Sequence, residues 1–503
     1  MALQRPVATT SGGEVRGVRA DGGVAAFRNL PYAAAPVGPL RFRAPVPPEP
    51  WPGVREAADF GPTAPKAQYA PPFDVLLPET DIPGDDCLNL NVWTPDPDGS
   101  APVLVWIHGG AFANGSGSAR SYDGAAFARD GVVLVTLNYR LGVEGFLYFG
   151  RDDVPANLGL LDQIAALRWV RENIAAFGGD PGKVTVFGES AGAMSIGTLL
   201  AMPQAAGLFQ RAILQSGAAH HTLDPDAALR VTHHLAGLLE LEHADPASFA
   251  AVPRERLLAA QRQLRTDISL DPSPARWGRT SVNLMPFEPV VDGTVLARDP
   301  ALVAADGQHT DVDILIGSNT DEFRLFTVPT GLIDIIDARA VHATAGAYGL
   351  DDAAVTAYQA LYPQDRPGEI HARLVTDWFY RIPALRLAEA NTRRRPGSAF
   401  VYEFAWQPPT FGGRLGACHA SELPFVFDAL DDAGLARLLG TAPPQRLADA
   451  MHAAWVAFAT TGDPGWPTYD VQRRTTMRFD DPACTMEKDP RAAERELWER
   501  VRG

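Results

Sequence analysis

The sequence predicts an α/β fold with a mostly parallel central sheet flanked by helices, and two observations carry that prediction. Short, nearly continuous runs of Val, Ile and Leu recur as VLVWIH, VVLVTLNY, KVTVFG and DILIG. Each has the length of a strand and lacks the polar alternation of a sheet with one wet face, so each reads as a central strand covered on both sides. Helical stretches lie between them, and strand, helix and strand in that order imply parallel neighbours.

Taken in order, the opening MALQRPVATTSGGEVRG holds no basic region followed by an apolar one, so no export signal is expected and the fold should start there. In LLDQIAALRWVRENIAAF, the residues Ile164, Ala166, Leu167, Val170 and Ile174 repeat at helical spacing, and GGDPGK stops the helix before the strand KVTVFG. Two segments, about 223–311 and 327–397, are polar and helical in pattern. They read as helical insertions over the active-site face that shape a pocket, with no repeat or linker to set them apart. One domain, 1–503, is therefore expected.

The chain has 503 residues, 46% hydrophobic and 21% charged, which fills a large core and excludes a disordered class. Its net charge of −16 disfavours nucleic acid or an anionic membrane surface as partner, since both require concentrated positive charge. No apolar run approaches the roughly 18 to 20 residues of a membrane span. Cys87, Cys418 and Cys484 cannot all pair and form no metal-ligand cluster, which fits reduced thiols in a cytoplasmic protein.

Val184 to Phe187 read as a strand, Gly188-Glu189-Ser190-Ala191-Gly192 follows at once, and AMSIGTLLAM continues as a helix. This is a G-x-S-x-G elbow in its required setting. The tight strand-to-helix turn needs small flanking residues and leaves the Ser190 hydroxyl projecting at a helix N-terminus. Attack on an ester carbonyl creates an oxyanion that needs aimed donors, each worth about 3 to 4 kcal/mol of barrier. His108-Gly109-Gly110-Ala111-Phe112 ends the strand VLVWI, and its glycines let the backbone turn N–H groups inward. Gly109, Gly110 and Ala191 are the candidate oxyanion donors, while His108 is expected to support the loop.

With these residues the chain resembles the type B carboxylesterases, the family of bacterial p-nitrobenzyl esterases, liver carboxylesterases and cholinesterases. The resemblance spans nearly the whole length, through FRNLPYAAAPVGPLRF, DDCLNLNVWTP, HGGAF, NYRLG, ANLGLLDQIAALRWVRENIAAFGGDPGKVTVFGESAGAMS, AILQSG, FEPVVDG, GSNTDEF, CHASELPFVF and AWVAFATTGDP. It implies an α/β-hydrolase fold and hydrolysis of carboxylic esters through a serine nucleophile.

A serine needs a base, and the base an orienting acid. In this fold the order is Ser, acid, His. Of 11 histidines only His108 precedes Ser190. His220, His221, His233, His234 and His243 come before any plausible acid and read as solvated surface, and His309, His342, His371 and His452 lack a turn-rich loop after a late strand. His419 has one, following FVYEF and QPPTFGGRLGAC, and matches the family's H-x-x-E-x-x-F pattern with Glu422 and Phe425. Asp321 and Glu322 both follow the strand DILI, and chemistry alone does not choose between them. The resemblance selects Glu322, leaving Asp321 as a cap or surface residue.

The resemblance also implies that Ser216 hydrogen-bonds the triad glutamate and that Glu189 and Glu422 are carboxylates near the pocket base. It implies ion pairs Arg140–Asp162 and Arg41–Asp85. Cys87 matches a cysteine that is disulfide-bonded in secreted members, and no cysteine precedes it here. Cys418 reads as a buried inert thiol beside His419. A choline ester is disfavoured because no tryptophan lies between Trp51 and Trp93 to form a cation-binding wall. No P-loop, G-x-G-x-x-G or zinc motif is present, so no cofactor and no metal is expected. The expected partner is a small-molecule ester, with the protein a monomer or small homo-oligomer. Two alternatives stand beside this reading: a catalytically inactive, neuroligin-like binding protein, and a carbamate or amide hydrolase using the same triad.

Overall fold

The computed structural model describes residues 5–501. Met1 to Gln4, the head of the segment read as lacking an export signal, lie outside the described residues, as do Arg502 and Gly503. The central sheet comprises β1 (Val18–Arg19), β2 (Ala25–Pro31), β3 (Asn89–Thr94), β4 (Ala101–Ile107), β5 (Val133–Leu137), β6 (Gly179–Glu189), β7 (Arg211–Gln215), β8 (Asp313–Asn319), β9 (Ala399–Phe404), β10 (Thr475–Phe479) and β11 (Thr485–Lys488). Their spatial order is β11-β10-β9-β8-β7-β6-β4-β5-β3-β2-β1. From β5 across to β10 every pairing is parallel, and the pairings at both margins are antiparallel.

The apolar runs lack alternation because both faces are covered. In β4, Val103, Val105 and Ile107 enter one core while Leu104 and Trp106 enter the other. β6 does the same with Val184 and Val186 against Phe187. The Trp106 ring, fully buried, lies 4.7 Å from that of Phe187 and 5.0 Å from that of Phe427, so one face of the sheet rests on an aromatic cluster. The crossover between β5 and β6 contains the helix Leu158–Asn173, whose Ile164, Ala166, Leu167 and Val170 are buried as their spacing predicts.

Both expected insertions are helical. Three Asp-Pro pairs start helices in the first: Asp224, Asp245 and Asp299 accept N–H bonds from Ala227, Ser248 and Ala301 at 2.8, 2.9 and 2.8 Å, each followed by proline at the first helical position. The carboxylate satisfies an orphan amide, an effect of about 1 kcal/mol per cap, and proline gives up a donor that had no partner. The second insertion contains a widened π-helical turn, Asp377–Arg381, that runs into the helix Ile382–Arg394.

Of the two expected ion pairs, Arg140–Asp162 forms, buried, with Nε–Oδ2 at 2.8 Å and Nη2–Oδ1 at 2.7 Å. The other does not. Arg41 pairs with Glu144 at 2.8 Å and also donates to the carbonyls of Ala250 and Val252, while Asp85 pairs with Arg254 at 3.0 Å. Glu144 gives Arg41 a buried partner beside those carbonyls, whereas Asp85 is exposed. Asp162→Ala strands the buried Arg140 guanidinium and is expected to destabilise the fold by about 3 to 5 kcal/mol. Urea unfolding checks it, and an unchanged midpoint would show that the pair contributes nothing.

The histidines read as surface also divide. His233 and His243 are exposed, but His221 is buried, with Nδ1 3.2 Å from Glu288 Oε1 and Nε2 3.0 Å from Phe379 O. It ties the first insertion to the π-helical turn, a long-range contact that no local pattern encodes.

Candidate active site

Ser190 lies between β6 and the helix Ala191–Leu199, with φ 55° and ψ −125°. Its N–H donates to Gln215 O at 2.9 Å and its carbonyl accepts the Met194 N–H at 2.8 Å, so both neighbouring elements fix the turn. The turn is tight enough that a Cβ at Gly192 would lie 2.0 Å from Ile107 O, which is why the motif requires glycine there. Strain at a non-glycine residue with positive φ costs about 1 to 3 kcal/mol and marks Ser190 as held in place by its surroundings.

A cavity of about 200 Å³ opens over this turn and is lined by Ser190, Glu189, His419, Gly109, Gly110 and Ala111, with Tyr69, Phe73, Leu77, Phe326, Leu423 and Leu438 supplying apolar walls. A larger cavity, about 420 Å³, lies near His220 and the C-terminal helix but holds none of the candidate residues, so chemistry rather than volume selects the site. Among the described residues, the N–H groups of Gly109, Gly110, Ala111 and Ala191 donate to no protein acceptor and stand free for a ligand oxygen. Ala111 was not among the donors read from the sequence. Its positive φ of 53° in an HGGAF loop is a backbone property that a side-chain motif does not display.

His419 and Glu322 come together from loops after β9 and β8. His419 Nδ1 is 2.6 Å from Glu322 Oε2, and Glu322, fully buried, accepts the Asn319 N–H through Oε1 at 2.7 Å. Asp321 is buried rather than exposed. It bridges Arg324 at 3.3 Å and accepts the Ala417 N–H at 3.3 Å, so it fastens the histidine loop without touching the imidazole. Ser216 departs from the role the resemblance implied: among the described residues its buried Oγ has no hydrogen-bond partner, and it is the Asn319 N–H that bonds Glu322.

Glu189 is closer to the chemistry than the sequence suggested. Its Oε1 lies 3.0 Å from His419 Nε2, so the imidazole sits between two carboxylates, and Ser190 Oγ makes no hydrogen bond among the described residues. Burial alone would push His419 down, but Glu189 and Glu322 overcome it and hold the ring well above the ordinary histidine range. Glu422 accepts amide N–H bonds from Gln215 at 3.1 Å and Asn319 at 2.7 Å. Burial and the neighbouring charges of Glu189 and Glu322 push it up to about 8. The rings of Tyr380 and Phe326 flank His419 at 4.8 and 5.5 Å. Tyr380 comes from the π-helical turn of the second insertion, where sequence pattern is least informative.

His108 behaves as expected. Burial pushes it down to about 3, and the neutral ring stacks on Tyr139 at 4.5 Å with Nδ1 2.8 Å from Gly109 O. Cys418 is buried and its thiol is pushed up by burial, which makes it a poor nucleophile.

This geometry agrees with what the chain is similar to. The carboxylesterase family profile matches residues 4–498. The para-nitrobenzyl esterase of Bacillus subtilis is 39% identical over 98% of this chain and 98% of its own length. The phenmedipham hydrolase of Pseudarthrobacter oxydans is 38% identical over 97% and 96%. Among solved structures, a Geobacillus stearothermophilus carboxylesterase superposes with a TM-score of 0.85 at 39% identity, covering 98% of this chain and 100% of that one. The elbow, the parallel sheet and these matches together place the chain in the carboxylesterase family, as a serine carboxylic ester hydrolase of the α/β-hydrolase fold.

Proposed function

We propose that Ser190, His419 and Glu322 hydrolyse the ester through an acyl-enzyme. The observation that carries this reading is the 2.6 Å contact of Glu322 with His419, on a cavity shared with an elbow serine. Ser190 Oγ attacks the acyl carbonyl as His419 Nε2 takes its proton, with Glu322 holding the imidazolium. Because His419 faces Glu189 in the free protein, the Nε2–Oγ contact forms as substrate fills the cavity, a tightening common to hydrolase sites. The free amides of Gly109, Gly110, Ala111 and Ala191 supply donors to the oxyanion. His419 returns the proton to the departing alcohol, then activates water to release the carboxylic acid and free Ser190.

The apolar walls and modest volume favour small aryl or benzyl esters, a class consistent with the para-nitrobenzyl esterase relative. Among the described residues no helix is long and apolar enough to cross a membrane. With Cys87, Cys418 and Cys484 all free, we read the protein as one cytoplasmic catalytic domain, monomeric or a small homo-oligomer. A fluorophosphonate probe is expected to label Ser190 stoichiometrically, and p-nitrophenyl esters of increasing acyl length should show falling kcat/KM once the chain outgrows the cavity. Absence of labelling in an active preparation would defeat the serine mechanism, and carbamate turnover exceeding ester turnover would favour the second substrate class.

A further inference from the structure

The turn that carries the free amides is held at its far end by a carboxylate that the steps above do not use. Gly109 to Gly115 folds back on itself, with Gly110 O accepting the N–H groups of Ala113 at 3.0 Å and Asn114 at 2.8 Å. Gly115, at φ 93°, passes so close beneath that a Cβ there would lie 2.3 Å from Gly109 O and 2.4 Å from His108 Nδ1. Glu79 arrives from a separate loop, between the short helix Phe73–Leu76 and β3. Its Oε1 accepts the Gly115 N–H at 2.9 Å and its Oε2 accepts Asn114 Nδ2–H at 3.0 Å.

Asn114 is buried and its amide is held on every side. Nδ2 also donates to Ala67 O at 2.6 Å, and Oδ1 accepts from Arg265 Nη1 at 3.1 Å. Glu79, Asn114 and Arg265 thus join three segments: the loop before β3, the turn after β4 and the helix Arg254–Leu270 of the first insertion. Glu79 also lines the cavity over Ser190. Negative charge develops in that cavity during attack, so a carboxylate there opposes the reaction electrostatically, and any benefit it brings is geometric.

We propose that Glu79 is a positioning residue for ester hydrolysis, pinning the far end of the Gly109–Gly115 turn so that the amides of Gly110 and Ala111 stay aimed at the oxyanion. The proposal rests on the acyl-enzyme reading. Donors that drift by about 1 Å cost on the order of 10²-fold in rate, chiefly in the transition state. The signature is a loss in kcat with little change in KM, matched by weaker binding of a trifluoromethyl ketone that forms an oxyanion adduct.

The test compares wild type, Glu79→Ala, Glu79→Gln and Ser190→Ala on p-nitrophenyl butyrate. Glu79→Ala is expected to lose about 10²-fold in kcat with KM within about threefold. The ketone should weaken by a matching factor, and added formate, with chloride as the ionic-strength control, should restore part of kcat. Glu79→Gln should fall between, because it keeps one acceptor oxygen but turns an N–H₂ toward a donor. A kcat within about threefold of wild type in Glu79→Ala, a loss confined to KM, or a kcat loss that formate leaves unchanged overturns the proposal. If the alanine variant does not fold, unchanged kcat and ketone affinity in Glu79→Gln overturn it equally. Persistence of hydrolysis in Ser190→Ala would instead strike the acyl-enzyme reading itself.

Discussion

Replacing Ser190 by alanine is expected to lower kcat by about 10⁴ to 10⁶ while leaving the fold intact. The change removes one oxygen from a half-exposed side chain whose Oγ holds no hydrogen bond among the described residues, so no buried partner is orphaned. What remains after the loss is the activity of the free amides and of binding alone. The backbone gives a second readout. At φ 55° alanine retains the strain of serine, whereas Ser190→Gly relieves it, so the glycine variant should unfold at a higher temperature than the alanine variant. Stopped assays on p-nitrophenyl butyrate and thermal melts check both. Turnover near the wild-type rate would remove Ser190 from the mechanism, and equal melting temperatures would show that the elbow stores no strain.

The fold was legible where local pattern and burial coincide. The run in β4 contains no polar residue, and that in β6 is broken only by the buried Thr185 between Val184 and Val186, because their alternate side chains reach two cores, and this is written directly in the sequence. The elbow was legible for a similar reason: the turn brings Gly192 so close to Ile107 O that no side chain fits there, and a glycine at that place is visible in the sequence. Pairings between distant segments were not legible. Arg41 selects Glu144 over Asp85 because the insertion brings the Ala250 and Val252 carbonyls to the same guanidinium, and nothing near residue 41 signals that.

The site divides in the same way. Ser190, His419 and Glu322 each sit in a motif, but the donor to Glu322 Oε1 is the Asn319 N–H, three residues away, while Ser216 Oγ has no partner among the described residues. Tyr380, 4.8 Å from His419, lies in the π-helical turn, which has no sequence period of its own. Glu79 was invisible because its loop has no regular element and the turn it holds, through the Gly115 N–H and the Asn114 amide, lies more than 30 residues away.

Glu322→Gln is expected to lower kcat by about 10⁴, the size of a carboxylate-to-amide swap in a serine triad. The hydrogen bonds explain why so small a change should cost so much. Oε1 of Glu322 accepts the Asn319 N–H at 2.7 Å, so a glutamine must keep its oxygen there and turn its N–H₂ toward His419 Nδ1. Nδ1 then has to accept, the ring proton moves to Nε2, and Nε2 can no longer receive the Ser190 proton. A second effect follows from charge. Glu189 and Glu322 together hold His419 above its ordinary range against burial, and the base works only when deprotonated, so activity rises with pH through the His419 titration. Removing one carboxylate lowers that titration, and the residual activity of Glu322→Gln should rise at lower pH than that of wild type. Asp321→Asn is the control, because Asp321 holds Arg324 and the Ala417 amide rather than the imidazole; it should disturb stability while leaving the pH profile in place. If Asp321→Asn instead produced the 10⁴-fold loss and the shifted profile while Glu322→Gln kept wild-type kcat, the acid of the triad would be Asp321.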